Sequence, residues 1–545
     1  MGSNVMRCLC TAVLLTALSC GSKEQVDLLI YNAKVYTVND QFAEAEAFAV
    51  RNGKFVAVGM NDAVLAKYEA PEMLDLEGSA VYPGFIDAHA HFYGYGTSLQ
   101  IADLTGASSF DETIQRLLDH REKYPEQSWL LGRGWDQNLW ENKAFPNRKK
   151  LDELFPDIPV LLTRIDGHAA LANSVALENG GVTASTSMLG GKVMVEMNVP
   201  SGILIDNAIG LVADKIPELG LEEKKKALLA AQENCFRVGL TTIADAGLDR
   251  EIIDLMEEMQ RDGSLKMRIY AMVSPTPKNK TYYFEKGPYQ TERMTVRGFK
   301  VFGDGALGSR GAALLHPYHD APEEQGFLLS SVEEFEALAQ EMYDHGFQMN
   351  THCIGDSANR TLLDIYAKIL KGQNDRRWRI EHAQIVNSKD VEKFGENQII
   401  PSIQPTHATS DMYWAEDRLG SERIHDAYIF KQLLDQNGYI ALGSDFPVEA
   451  INPLFGFHAA VTRQDAKGWP EEGFQSNDKL SRQEALKGMT IWAAYANFEE
   501  DKKGSIEVGK WADFVITKQD IMTAPSETLR DIEVTATYVG GDKVF

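Results

Sequence analysis

Two histidines separated by one residue, His89 and His91, close the apolar run VYPGFIDAHAH. On a β-strand, residues i and i+2 share a face, so both imidazoles project together while Ala90 points the other way. Such a pair alone also suits hydrogen-bonded core or surface histidines, so metal binding requires partners from elsewhere in the chain. Candidates stand at or near the ends of four further apolar runs: Lys300 in GFKVFGDG, His352 in NTHCIGD, His382 in RIEHAQ and Asp445 in LGSDFPV. Imidazole nitrogen and carboxylate oxygen are ligands for a divalent ion, with zinc the first expectation. An ion with one open position lowers the pKa of bound water from about 15.7 to near 7, and a carboxylate beside it can move the proton. Asp445 suits that general acid/base role as well as ligation; its plainer reading in GSDFP is a turn or N-cap aspartate. Lys300 is the odd member, because an ammonium repels a dication, and pairing with Asp304 or another acid is its plainer role.

The elements that must position these residues alternate between strand and helix. Eight apolar strand candidates run from VYPGFIDAHAH through GLTTIADAG, KMRIYAMVSP, VRGFKVFGDG, FQMNTHCIGD, RWRIEHAQIV and IIPSIQPTH to YIALGSDFPV. Helical patterns such as EEFEALAQEMYDHG and ANRTLLDIYAKIL separate most of them. This predicts an α/β protein built on a (β/α)8 TIM barrel, in which function collects at the C-terminal strand ends. An open doubly wound sheet is the alternative; its dinucleotide-binding version is removed by the absence of a G-x-G-x-x-G turn after the first strand. Residues 97–215, between the first two barrel strands, are too long and too apolar for a loop and read as an inserted subdomain over the barrel mouth. Short strands around glycines make up both 25–80 and 501–545, which implies one small β-sandwich formed by the two termini around a barrel spanning 81–500. Ser481 and Glu484 have the spacing of a capping box and open a helix after the barrel.

The 545 residues carry a net charge of −25, which argues against a nucleic-acid surface and disfavours strongly anionic substrates at long range. The first twenty residues read as an export signal: Arg7, an apolar stretch around Leu14 and Leu15, then small residues up to Cys20. ALSCGS resembles a bacterial lipoprotein signal with Cys20 as the lipidated residue, although Ala17 stands where such signals prefer leucine. That implies a periplasmic or cell-envelope lipoprotein held to a membrane by its lipid; a plain cleaved signal is the alternative. Beyond it remain Cys235 and Cys353, too few and too separated for a disulfide framework. Strand alternation places Cys353 behind the barrel wall and, by the same logic, turns Glu381 away from the site.

The phrases GWDQNLW, DGHAALANSVAL, FKVFGDGALGSRGAAL, NTHCIGDSANR, RIEHAQ and LGSDFPV resemble the amidohydrolase superfamily, in particular its YtcJ-like subgroup typified by N-substituted formamide deformylase. The resemblance covers nearly the whole chain after the signal. It implies a distorted barrel with one or two metal ions, and carbamylation of Lys300 into an anionic bridge if the centre is binuclear. His89, His91 and Asp445 would then hold one ion, His352 and His382 the other. His168 resembles a position of the insertion motif near the active site, where it would polarise a carbonyl or orient the substrate; a structural histidine is the alternative. Trp135, Asp304 and Arg310 are candidate substrate contacts, with Trp140, Tyr93 and Ser309 nearby, while His316 and His319 read as surface-loop residues. The function implied is hydrolysis of a C–N bond in a small amide, N-substituted formamide or cyclic amide. A deaminase or an ester or lactone hydrolase is the nearest alternative, and a non-catalytic zinc-binding lipoprotein a more distant one. Homo-oligomers are compatible with all of these.

Overall fold

The computed structural model describes residues 23–545, so the expected signal and Cys20 lie outside the described residues. Eight parallel strands form the central barrel: β1 (Phe85–Ala90), β2 (Leu240–Leu248), β3 (Arg268–Val273), β4 (Met294–Phe302), β5 (Gln348–Cys353), β6 (Arg379–His382), β7 (Ile400–Ile403) and β8 (Ala441–Leu442). They pair in chain order, and each is one of the eight apolar runs read from the sequence. Intervening helices bury one apolar stripe each; in Arg250–Arg261 it is Ile252, Ile253, Met256 and Met259. Helices Val332–Asp344 and Arg482–Gly488 start at capping boxes, Ser331 with Glu334 and Ser481 with Glu484.

The barrel is distorted where it closes. β8 has two residues, and the segment after it completes the seam: Asp445 N donates to the carbonyl of His89 at 2.8 Å, and His91 N to that of Phe446 at 2.9 Å. Gly443 makes this approach possible, since a Cβ there would stand 2.6 Å from His89 N and 2.8 Å from Asp87 Oδ1. The Asp87 carboxylate ties the seam further, accepting from Ser444 N and Oγ and from His89 N.

The termini build two facing sheets. One has four strands, Lys54–Gly59, Ala47–Arg51, Leu28–Tyr31 and Glu72–Asp75. The other has six, in which Phe514–Thr517 pairs antiparallel with Ala80–Pro83 and thereby joins the two ends of the chain. Leu28, Ile30, Phe48, Phe55, Val81 and Phe514 fill the space between the sheets. The VYP that opens the run around His89 therefore belongs to the sandwich, and the barrel begins at Phe85. The stretch between β1 and β2 holds its own six-stranded mixed sheet, from Ala102–Asp103 to Val199–Asp206, with a core around Leu104, Leu130, Trp135 and Leu171. Cys235 and Cys353 are unpaired and buried in the barrel core.

Candidate metal centre and substrate cleft

His89, His91, Lys300, His352, His382 and Asp445 converge at the C-terminal mouth of the barrel. His91 Nε2 and His89 Nε2 lie 3.2 and 3.6 Å from Asp445 Oδ1, and Lys300 Nζ lies 3.0 Å from His89 Nε2. The rings of His352 and His382 are 4.6 Å apart and those of His89 and His382 4.9 Å. Two triads can each supply three donor atoms within 4.8 Å of one another: His89, His91 and Asp445, and His382, His407 and Asp445.

Four of these imidazoles, those of His89, His91, His352 and His382, have one nitrogen occupied by an acceptor, which leaves the other free for a metal. His89 Nδ1 meets Glu381 Oε2 at 2.5 Å, His91 Nδ1 the Ala246 carbonyl at 3.0 Å, and His382 Nδ1 the Gln404 Oε1 at 2.7 Å. His352 is turned the other way, with Nε2 toward the Gly305 carbonyl at 3.4 Å, and so offers Nδ1. Acceptors at the outer nitrogens put the protons there, the arrangement that orients metal-bound histidines. Burial drives His89 down to about 4, with the Lys300 charge adding to the effect, and burial takes His352 and His382 well below the ordinary imidazole value. Burial alone would raise Asp445, but the surrounding His91, His89 and His382 hold it well below the carboxylate range. Neutral imidazoles and an ionised carboxylate are the protonation states a divalent cation needs.

The fit goes beyond residue type. Asp445 Oδ1 is buried and makes no hydrogen bond, although two imidazole nitrogens face it. Lone pairs pointed at one another repel unless a cation lies between them, so this donor set fits a divalent metal. The backbone is also bent to place it: His382 and Asp445 have φ of 73° and 63°, a left-handed conformation uncommon outside glycine and found at functional sites.

Glu381 corrects the expectation that it would face away. β6 ends in the left-handed turn of His382, alternation fails there, and Glu381 points into the barrel between Arg379 and His89. Burial would raise its carboxyl, but Arg379 and then His89 hold it far below the usual range. His168 does reach the site, its ring 4.8 Å from that of His352 and its Nδ1 2.6 Å from Asp206 Oδ1. Burial would lower its pKa, yet the Asp206 hydrogen bond and the charges of Asp206, Asp166 and Asp304 raise it.

Three expected substrate contacts lie elsewhere. Trp135 is buried in the core of the insertion, its Nε1 donating to the Leu162 carbonyl at 2.7 Å, because its indole is worth more packed against Trp140 and Phe145 than exposed. Asp304 is fully buried behind His352 and accepts from the backbone N–H groups of Ala313, Ile354 and Gly355 at 2.8–3.0 Å; it braces the loops after β4 and β5. Arg310 turns outward to Asp320 at 2.8 Å. His316 and His319 are exposed.

His407 was missed. It follows β7 at the start of helix Pro405–Asp411, its Nε2 3.8 Å from Asp445 Oδ2, and the histidine closing IQPTH was its only signal. The centre opens into a chamber of about 380 Å3 and a wider cleft of about 740 Å3. The insertion supplies one wall with Arg133, Ile165 and His168; the loops after β7 and β8 supply Trp414, Val448 and Ile451.

The model of the Amidohydrolase family matches residues 72–545. The chain belongs to the amidohydrolase family. It is 34% identical over 540 residues to the protein LONG AFTER FAR-RED 3 of Arabidopsis thaliana, covering 95% of this chain and 91% of that one. It is 30% identical over 522 residues to the YtcJ protein of Bacillus subtilis, with 94% of this chain and 98% of that one covered. Over 541 residues it is 27% identical to the N-substituted formamide deformylase of Arthrobacter pascens, with 94% and 97% covered. Among solved structures, an uncharacterized metal-dependent hydrolase from Pyrococcus horikoshii superimposes with a TM-score of 0.75 at 28% identity, over 92% of this chain and 99% of that one. This amidohydrolase is therefore a metal-dependent hydrolase of the YtcJ-like subgroup, an enzyme acting on carbon–nitrogen bonds.

Proposed function

We propose that this amidohydrolase cleaves the C–N bond of a small amide, N-substituted formamide or cyclic amide, with Asp445 as the group that takes and returns the proton. The observation that carries this reading is the Asp445 carboxylate itself: ionised, buried, and approached by His89 and His91 on one oxygen and by His407 on the other. A bound divalent cation, zinc by its donor set, supplies a polarised carbonyl and water acidic near pH 7. The protein's own part is positional. Asp445 stands where it can accept a proton from water and hand it to the departing nitrogen, which an amine leaving group requires. His168, held by Asp206, faces the same chamber and is placed to donate to the carbonyl oxygen as charge develops there.

The reading extends to Lys300. Its amine is fully buried at the centre, and burial lowers its pKa to about 8, so an unprotonated fraction able to attack carbon dioxide exists near neutral pH. Attack on carbon dioxide with release of the amine proton would turn a repelling cation into an anionic carbamate beside His89, able to contribute an oxygen ligand. Carbon-13 NMR after incubation with labelled bicarbonate reads this directly.

Metal analysis with a panel of N-formyl, N-acyl and cyclic amides, each beside its ester isostere, tests the function. Amide turnover that is lost on chelation and in Asp445→Asn supports it. Ester turnover with no amide turnover rejects it. We also propose, from the sequence signal alone, that the mature protein is tethered to a membrane through Cys20; labelling with a radioactive fatty acid tests that.

A further inference from the structure

Arg133 lines the inner chamber as a cation that a single hydrogen bond holds among the described residues. It sits on insertion strand Leu130–Trp135, where simple alternation would send Arg133 and Trp135 to the same face. Gly134 prevents that: its φ is 111°, the pairing register shifts between Arg133 and Trp135, and a Cβ would stand 2.4 Å from Thr105 Oγ1. Trp135 thus enters the insertion core while Arg133 lines both the chamber that holds His91, Lys300 and Asp445 and the wider cleft.

The guanidinium is held but only partly neutralised: burial lowers its pKa, and the charges of Asp445 and Asp166 offset this in part without pairing with it. Its Nη2 donates to the Ile165 carbonyl at 2.9 Å, the one hydrogen bond it makes among the described residues, and its buried Nε has no partner. No carboxylate of the described residues forms a salt bridge with it. The neighbouring Arg164 shows the contrast, since Asp136 and Asp166 both pair with it. A partly dry cation with free planar donors is costly until a planar oxyanion arrives, and a guanidinium matches a carboxylate in two parallel hydrogen bonds.

We infer that Arg133 selects the substrate by binding a carboxylate attached within a few bonds of the scissile amide, a refinement that rests on the amide-hydrolase reading above. Both groups fit because Arg133 and the metal-ligand cluster line the same chamber of about 380 Å3. The net charge of −25 does not oppose this at close range, because charges beyond about 8 Å are screened at physiological salt. Asp136 and Asp166 on the insertion wall are taken up by Arg164, whereas Asp411 and Glu449 line the cleft from the loops after β7 and β8, which limits the substrate to one anion on the insertion side.

The test compares N-formylnorleucine with N-pentylformamide, which differ only by the carboxylate, in the wild type, Arg133→Met and Arg133→Lys. The wild type is expected to favour N-formylnorleucine in kcat/KM by about 100-fold. Arg133→Met is expected to lose that preference, chiefly through KM, while N-pentylformamide changes less than about 3-fold; Arg133→Lys retains part of it. Calorimetric titration of N-formylnorleucine into metal-free wild type and Arg133→Met gives a readout independent of turnover, with binding at least about 10-fold weaker in the variant. A wild type indifferent to the carboxylate, or an Arg133→Met that depresses both substrates equally, overturns the inference. If neither formamide is hydrolysed while an ester is, the amide reading fails separately, and equal affinity of the two metal-free proteins then overturns the role of Arg133.

Discussion

Glu381 Oε2 and His89 Nδ1 lie 2.5 Å apart in the fully buried floor of the site, with Arg379 on the other oxygen of the same carboxylate. The pair fixes which nitrogen of His89 carries the proton and so which one faces the metal. Replacing Glu381 by Gln keeps the shape but removes the charge that Arg379 and His89 both use. Metal affinity is expected to fall by about 10–100-fold, read by competition with a chromophoric chelator. Metal-free protein is expected to lose about 3 kcal/mol of stability, because the Arg379 guanidinium is left buried and uncompensated. A variant that melts earlier but binds metal as tightly as the wild type would show that Glu381 serves Arg379 alone.

Asp445→Asn is a cleaner test of chemistry than most carboxylate changes. Asparagine tolerates the left-handed backbone that Asp445 adopts at φ 63°, so the loop after β8 keeps its conformation. The substituted amide neither accepts the proton nor supplies an anionic oxygen. The expected result is a fall in kcat of about 100- to 10,000-fold with little change in melting temperature. Retained turnover of every substrate the wild type hydrolyses would remove Asp445 from the proton transfer.

How far the sequence foretold this depends on which residues are asked. The eight barrel strands were legible because each is an apolar run ending in a polar or metal-binding residue, with amphipathic helices between most of them. His89, His91, His352 and Asp445 could be placed for the same reason, since position at a strand end is a local property. Glu381 was misplaced because period-two alternation holds only while the strand does, and β6 stops in the left-handed turn of His382. Trp135 was misplaced for a related reason, the bulge at Gly134. Arg133 and His407 escaped notice because their roles come from packing the insertion and the β7 helix over the mouth, which no local spacing encodes.

The foot of the barrel is joined to the sandwich by a buried ion pair, Arg268 Nε and Nη2 to the two oxygens of Asp513 at 2.6 and 3.0 Å. Burial alone would raise the Asp513 carboxyl, but the Arg268 charge and hydrogen bonds lower it below the ordinary value. An aspartate in the unfolded chain titrates near 3.9. Its folded counterpart titrates lower, so this stabilisation is fully present above about pH 4 and is lost as pH falls through the folded pKa. Asp513→Asn is expected to cost about 3 kcal/mol at neutral pH by stranding Arg268. It should also flatten the acid limb of a plot of melting temperature against pH. An acid limb as steep as that of the wild type would mean that other carboxylates govern acid unfolding.

Gly443 links barrel closure to the metal centre, so one methyl group there tests both. Its place between β8 and β1 leaves a Cβ 2.6 Å from His89 N and 2.8 Å from His89 O and from Asp87 Oδ1. Two of those contacts are backbone, which cannot swing aside as a side-chain tip can, so Gly443→Ala must push β8 away from β1. The displaced segment carries Asp445, whose N–H reaches the His89 carbonyl at 2.8 Å, and that separation moves the carboxylate from the two imidazoles it faces. Misplacing a reacting group by about 1 Å costs on the order of 100-fold in rate. Gly443→Ala is therefore expected to lose about that much activity, to bind less metal per chain by elemental analysis, and to melt earlier. Full metal content with wild-type activity would mean that the seam has slack, and that Asp445 is held by something other than its bond to β1.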